Sequence, residues 1–307
     1  MGTAYTVKLA GCGRPAPGDL ESLREAVEGV LRSVQQAMSV YLPDSELSRF
    51  NRHEDGSPFR MSAETFHVFR RAIQIGEESG GAFDITVGPM VSLYGFGPDP
   101  FRVDLPSDEE LAGLRSFVGY QKLELDSTAG AIRKRHSKVW CDLSAIAKGY
   151  GADRVAAVLD RRGVADYMVE VGGEVRVRGC NLDGKPWRIA IERPAADDVE
   201  IHRVVPLIDQ AIATTGDYRV FYIRDGKRIS HTIDPRTGRP VGHSLASVTV
   251  IADDCESADA WATALMVLGA EEGGALAERR RMAALFLIRG EDGRIEERAT
   301  AAFPGSG

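Results

Sequence analysis

Asp259 and Thr263 stand four residues apart in the segment Ser257-Ala258-Asp259-Ala260-Trp261-Ala262-Thr263-Ala264-Leu265. On a helix, residues at that spacing share one face, so a carboxylate and a hydroxyl would project together. They are hard oxygen donors of the kind Mg²⁺ accepts, with waters and ligand phosphates completing the octahedron. Spacing alone favours a purely local use: Asp259 capping a first turn and Thr263 bonding back within its own helix. A second candidate is His231, in Ser230-His231-Thr232-Ile233-Asp234-Pro235. Beside Asp234 it could serve as a general base whose tautomer the carboxylate fixes, or it could be a turn histidine satisfied locally. A third is Asp142-Leu143-Ser144, where a strand ending at Val139-Trp140-Cys141 hands over to a helix. Either polar side chain could cap orphan amides there, and such a helix start could receive a phosphorylated ligand.

The elements that must position these groups follow from periodicity. Tyr5, Val7 and Leu9 alternate as in a strand, and a long helix opens after Asp19 with Leu20, Leu23, Val27, Val30, Leu31, Val34 and Met38 on its apolar face. Ser62 caps a second helix, and Ser107 with Glu110 spells a capping box. Residues 81–97, rich in glycine and aromatics without a sustained period, read as a binding loop. Ala152, Val155, Val158 and Leu159 give the helix after Ser144, which stops at Arg161-Arg162-Gly163. A strand over 167–178 is interrupted by Gly172-Gly173, which mark a bulge or a close approach of a ligand or another backbone. Strands follow at 187–192 and 204–208, then a hairpin with Asp225-Gly226 as its turn, a strand at 247–251, helices over 256–268 and 271–280, and a closing strand pair. Antiparallel strands with interspersed helices predict an α+β fold of two intimately joined lobes of largely antiparallel sheet with flanking helices.

Composition narrows the function classes. A net charge of −7 with no dominant Lys/Arg run argues against a nucleic-acid partner. No apolar run approaches the roughly 18–20 residues that span a bilayer. Cys12, Cys141, Cys180 and Cys255 lack metal spacing and read as small buried hydrophobes. Leu9-Ala10-Gly11-Cys12 spells a lipoprotein-processing tetrapeptide, but no basic or apolar region precedes it, so the chain is expected to carry no export signal of its own. Gly149-x-Gly151 fails as a dinucleotide fingerprint because Arg154 holds the third glycine position.

Eight segments in one order resemble the ApbE family of FAD:protein FMN transferases along nearly the whole chain. They begin with Met1-Gly2-Thr3-x-Tyr5 and the run from Met38 through Tyr41, Asp44-Ser45-Glu46-Leu47 and Phe50-Asn51. Gly81-Ala82-Phe83-Asp84 with Gly95-Phe96-Gly97, and Asp142-Leu143-Ser144-x-Ile146-Ala147-Lys148-Gly149-Tyr150, come next. Val171-Gly172-Gly173-Glu174, Ala213-Thr214-Thr215-Gly216-Asp217-Tyr218, the His231–Gly238 stretch and the segment around Asp259 and Thr263 complete the set.

The resemblance implies a single domain over residues 1–307, with FAD bound between two lobes and Mg²⁺ on its diphosphate. FMN then passes to a Thr or Ser hydroxyl of an acceptor, a subunit of a membrane redox complex, and AMP is released. It implies metal contacts from Asp259, Thr263 and the main-chain carbonyl of Ala145. Ala262 stands where some members have a second acid, which leaves fewer charged ligands and leaves one versus two metal ions open. Contacts to FAD are implied at Met1, Tyr41, Ala82, Phe83, Asp84, Asp142, Lys148 and Ile233, and deprotonation of the acceptor hydroxyl at His231. Tyr41 and Phe83 are expected to pack on flavin or adenine rings. A periplasmic location follows by resemblance alone. Two rival readings are an FAD pyrophosphatase, in which water replaces the acceptor, and a flavin-binding protein without turnover.

Overall fold

Residues 245–252 read LASVTVIA, an uncharged β-branched run that suits a strand covered on both faces, and seven of its eight residues are buried. It is an inner strand of the largest sheet among the described residues. The computed structural model describes residues 2–11, 17–97, 104–194, 200–218, 220–224, 226–290 and 292–305. Among these the chain forms two compact units, one of Met1–Val34, Ile146–Arg219 and Ser244–Gly307, the other of Gln35–Ala145 and Val220–His243.

In the first unit, seven strands lie in the order Tyr5–Ala10, Asp166–Val171, Glu174–Arg178, Ala211–Gly216, Leu245–Ala252, Ala283–Arg289 and Ile295–Ala299. Every neighbouring pair is antiparallel. Period-two alternation sorts the side chains of Asp166–Val171 onto two faces. Tyr167, Val169 and Val171 pack with Val27, Ala152, Val155, Ala156 and Leu159 of the helices. Met168 faces the other way, onto Trp187, Ile189, Ile191, Val205 and Leu207 of the hairpin Trp187–Glu192/Ile201–Leu207. The α+β expectation therefore holds, with helices on one face of the sheet and a hairpin on the other.

The expected single strand over 167–178 is two strands. Gly172 and Gly173, with φ of 65° and 103°, close a tight hairpin in which Val171 pairs with Glu174. Two successive positive φ values are what a two-residue hairpin turn demands, and glycine meets that without strain. The two helices expected near the C-terminal end are both present within Cys255–Arg279, meeting at a kink where Gly269 leaves helical geometry (φ 77°, ψ 179°). The helix expected to open after Asp19 begins at Pro17 and carries Asp19 in its first turn.

In the second unit, Phe50 sits edge-on to Phe59 and Phe69 at centroid distances of 5.6 and 5.4 Å. A three-stranded sheet (Phe59–Arg60, Ala131–Lys134, Leu123–Asp126), the hairpin Phe221–Arg224/Lys227–Ser230 and the short pair Ile233–Asp234/Arg239–Pro240 are all antiparallel. Asp225, expected in the second of these turns, lies outside the described residues. Ser62 caps helix Ala63–Glu78 and Ser107 with Glu110 forms the capping box of Asp108–Arg115.

Two expectations fail in this unit. The loop over 81–97 contains a short helix, Gly88–Leu93, started by a proline in its first turn. Val139-Trp140-Cys141 is not a strand. Instead the Asn51 side chain bonds both main-chain groups of Cys141, donating to its carbonyl and accepting from its N–H at 2.8 Å each, so one amide replaces a strand partner. Among the described residues no helix is long and apolar enough to cross a membrane.

Candidate functional site

Helix Cys255–Arg279 is capped by Asp254, whose side chain accepts from the Ser257 N–H, and by Asp153, which takes the N–H groups of Cys255 and Glu256. Burial pushes the Asp153 carboxyl up to about 7. With the helix start already satisfied, Asp259 is not a cap. Its carboxylate is buried and turned towards helix Ser144–Arg161, where the Gly149 N–H donates to Oδ2 at 3.0 Å. Lys148 Nζ donates to Oδ1 at 3.0 Å and to Oδ2 at 3.2 Å. The same ammonium lies 3.4 Å from Glu174 Oε1, on the strand just after the Gly172-Gly173 turn. Thr263 is one turn beyond Asp259, and its hydroxyl lies 3.1 Å from that of Thr215 on strand Ala211–Gly216.

This arrangement is electrostatically tense. Burial alone would push the Lys148 amine down, but Asp259 and then Glu174 outweigh it and hold the ammonium above its usual range. Burial, and after it the Asp259 charge, push the Glu174 carboxyl up against the pull of Lys148. Glu174 Oε2 is buried without a hydrogen-bond partner.

Two glycines make room for the cluster. A Cβ at Gly149 would lie 2.6 Å from the Cys255 carbonyl carbon, closer still to its oxygen, and 2.9 Å from Asp259 Cβ. A Cβ at Gly172 would lie 3.2 Å from Lys148 Cδ. Gly149→Ala, which in an exposed helix would stabilise, is therefore expected to cost about 1–3 kcal/mol by overpacking, lowering Tm on the order of 5 °C. Differential scanning calorimetry checks this, and an unchanged or raised Tm would contradict the close helix–helix approach.

Asp259 and Thr263 satisfy the donor chemistry of Mg²⁺, which commonly takes one or two carboxylates and leaves the remaining positions to water and substrate phosphates. No group of three or more His, Cys, Asp or Glu side chains disposed for a metal occurs among the described residues.

The second unit holds most of the remaining candidates. Asp142 Oδ1 accepts from the Ser144 N–H at 2.8 Å and from its hydroxyl at 2.5 Å, fixing the approach to helix Ser144–Arg161, whose second residue is Ala145. Asp142 N–H donates to the Ile85 carbonyl at 2.7 Å. The Asp84 carboxylate is buried and organises a turn: Oδ1 accepts from the Thr86 N–H and hydroxyl, and Oδ2 from the Tyr120 N–H. Burial pushes it up despite those bonds. Tyr41 is 67% exposed, a free ring face suited to stacking.

Phe83 is different. Its ring is buried with Ala82, so it has no face to offer a flavin, and the expected stacking role is corrected to one of packing. The Ile233 side chain likewise belongs to a core cluster with Met90, Tyr94, Leu111 and Val118. Met1 lies outside the described residues.

His231 follows the hairpin strand Lys227–Ser230. Its Nδ1 lies 3.0 Å from the Val220 carbonyl, which can only accept, so the proton of a neutral ring sits on Nδ1 and Nε2 carries the lone pair. The Phe96 ring stands edge-on to it at 6.2 Å and is itself stacked on Tyr222. Asp234 does not orient the imidazole as the sequence suggested. Its carboxylate instead accepts from the Arg236 main chain at 2.9 Å and from the Arg236 guanidinium at 3.0–3.3 Å, closing its own turn.

Sequence reasoning assigned no role to Glu174, Thr215, Asp153 or Asn51. Glu174, Thr215 and Asn51 stood inside noticed motifs, though without a role. Asp153 gave no signal, because its partner lies 102 residues away.

The family model of the ApbE family matches residues 1–286. The chain is 43% identical over 303 residues to the FAD:protein FMN transferase of Vibrio cholerae, covering 99% of this chain and 89% of that protein. The corresponding enzyme of Haemophilus influenzae is 40% identical over 305 residues, with 98% and 88% covered. Among solved structures, the flavin transferase ApbE from Vibrio cholerae superposes with a TM-score of 0.89 at 42% identity, covering 99% of this chain and 95% of that one. The apo flavinyl transferase ApbE of Pseudomonas stutzeri gives 0.86 at 40%, with 97% and 91% covered. Matched along almost its full length in sequence and in fold, the chain belongs to the ApbE family.

Proposed function

We propose that this protein is an FAD:protein FMN transferase that moves FMN from FAD to a Thr or Ser hydroxyl of an acceptor protein and releases AMP. The observation that carries the reading is the 43% identity over 303 residues to a curated enzyme of that name. The site chemistry agrees with it. A buried carboxylate beside a hydroxyl, and a histidine with its tautomer fixed, are what a phosphoryl-type displacement needs, since positioning and charge neutralisation dominate such reactions.

In the proposed reaction the acceptor oxygen attacks the phosphorus of the FMN half of the diphosphate. The bond from that phosphorus to the bridging oxygen breaks, and AMP leaves with that oxygen. His231 Nε2 takes the proton of the acceptor hydroxyl, while the Val220 carbonyl holds the ring in the required tautomer. Asp259 and Thr263, with the Ala145 carbonyl, would hold Mg²⁺. When bound, that ion supplies charge stabilisation at the transferring phosphoryl group and the departing AMP. Tyr41 offers a ring for stacking, and Asp142 and Lys148 are further contacts to FAD. We place the acceptor among subunits of membrane redox complexes and the reaction in the periplasm, which fractionation of cells producing the tagged protein checks.

One assay separates this reading from its rivals. The protein is incubated with FAD, Mg²⁺ and a candidate acceptor, and gel flavin fluorescence and AMP are both followed. Fluorescent acceptor with AMP is the expected result. AMP without labelled acceptor, across a panel of membrane flavoprotein subunits, indicates a pyrophosphatase, and neither product indicates a binding protein.

A further inference from the structure

We infer that Lys148 is a built-in counter-ion which yields Asp259 to the metal and withdraws onto Glu174, making Glu174 a positioning residue of the site. The inference rests on the proposed metal-binding role of Asp259.

Lys148 Nζ spans both Asp259 oxygens at 3.0 and 3.2 Å and also lies 3.4 Å from Glu174 Oε1. A divalent cation on the same carboxylate would stand within a few ångströms of that ammonium, and the repulsion in a buried setting is large. The ammonium therefore needs another anion close by. Glu174 is that anion: its side chain is only 5% exposed, and its Oε2 is buried with no hydrogen-bond partner. An unpaired buried carboxylate oxygen is costly, and a lysine that moved fully onto Glu174 would remove the cost.

Local structure favours such a movement. Glu174 is fixed at the first residue of its strand by the Gly172-Gly173 turn. Gly172 leaves space beside Lys148 Cδ that a side chain would close. A lysine is suited to the exchange because it is a compact charge on a flexible stem, unlike a planar arginine fork.

The test uses the purified 307-residue chain without FAD, and Mn²⁺ as the probe, with free Mn²⁺ read by electron paramagnetic resonance. Asp259→Asn should abolish binding. Lys148→Met should tighten it by about 10–100-fold, the usual scale for partners of a metal ligand. Glu174→Gln should weaken it by a similar factor, because Lys148 then has lost its second anion. Lys148→Met leaves two buried carboxylates without that ammonium, so the double variant Lys148→Met/Glu174→Gln provides a better balanced arm. It should bind Mn²⁺ at least as tightly as the parent chain. If Glu174 acted only as a general negative charge, the double variant would stay as weak as Glu174→Gln, and the inference would fall. It would fall too if Lys148→Met matched the parent while Asp259→Asn abolished binding, a result that leaves the metal role of Asp259 intact. Parent-like binding by Asp259→Asn would overturn both.

Discussion

Asp259→Asn lowers kcat/KM for FMN transfer by at least about a thousandfold, roughly 4 kcal/mol of transition-state stabilisation, the scale at which a bound metal acts as a Lewis acid. The substitution preserves shape, and the amide oxygen can still accept the Gly149 N–H that now reaches Oδ2. What disappears is the charge. Lys148 keeps Glu174 as a partner, so the unit should remain folded and the loss should fall on activity rather than on Tm. Rates of acceptor labelling at saturating Mg²⁺, with calorimetry on the same sample, check this. Activity within tenfold of the parent would show that Asp259 is not the residue that carries the metal.

His231→Gln is expected to reduce kcat by about 10²–10⁴-fold, the range of general-base contributions, with little change in the KM for FAD. The reason is the division between the two ring nitrogens. Nδ1–H is committed to the Val220 carbonyl, leaving Nε2 as the atom that can take a proton. A base must be unprotonated to act, so the rate of the parent enzyme rises with pH as the imidazole loses its proton, and this acid limb should vanish in the variant. A merely structural histidine would lower the rate at every pH and leave the limb in place.

The residues that behaved as the sequence suggested are those whose partners are near in the chain. Ser62, and Ser107 with Glu110, cap their helices because a capping interaction closes over three residues. Asp259 and Thr263 do lie on one helix, one turn apart, as their spacing required. The failures have the opposite character. From its spacing alone Asp259 reads more readily as a cap than as a ligand. What removes the cap reading is the pair Asp153 and Asp254, which leave Asp259 with no helix end to satisfy, while its carboxylate is met by Lys148, 111 residues away. Nearness in sequence misled at His231, where Asp234 closes its own turn through Arg236 and a main-chain carbonyl does the orienting. Apolar residues before Asp142 looked like a strand because burial was read correctly and pairing was not. The Asn51 amide supplies the hydrogen bonds there that a neighbouring strand would otherwise provide. Burial also reassigns Phe83, since an aromatic in a glycine-rich segment reads the same whether its ring faces a ligand or its own core.

Metal-assisted transfer of FMN is the central claim, and the intact mass of an acceptor protein after incubation with this enzyme and FAD tests it most directly. With Mg²⁺ present the acceptor should gain one FMN moiety on a Thr or Ser, matched by one AMP released. With EDTA in place of Mg²⁺ it should keep its original mass. Equal labelling in EDTA would contradict the account.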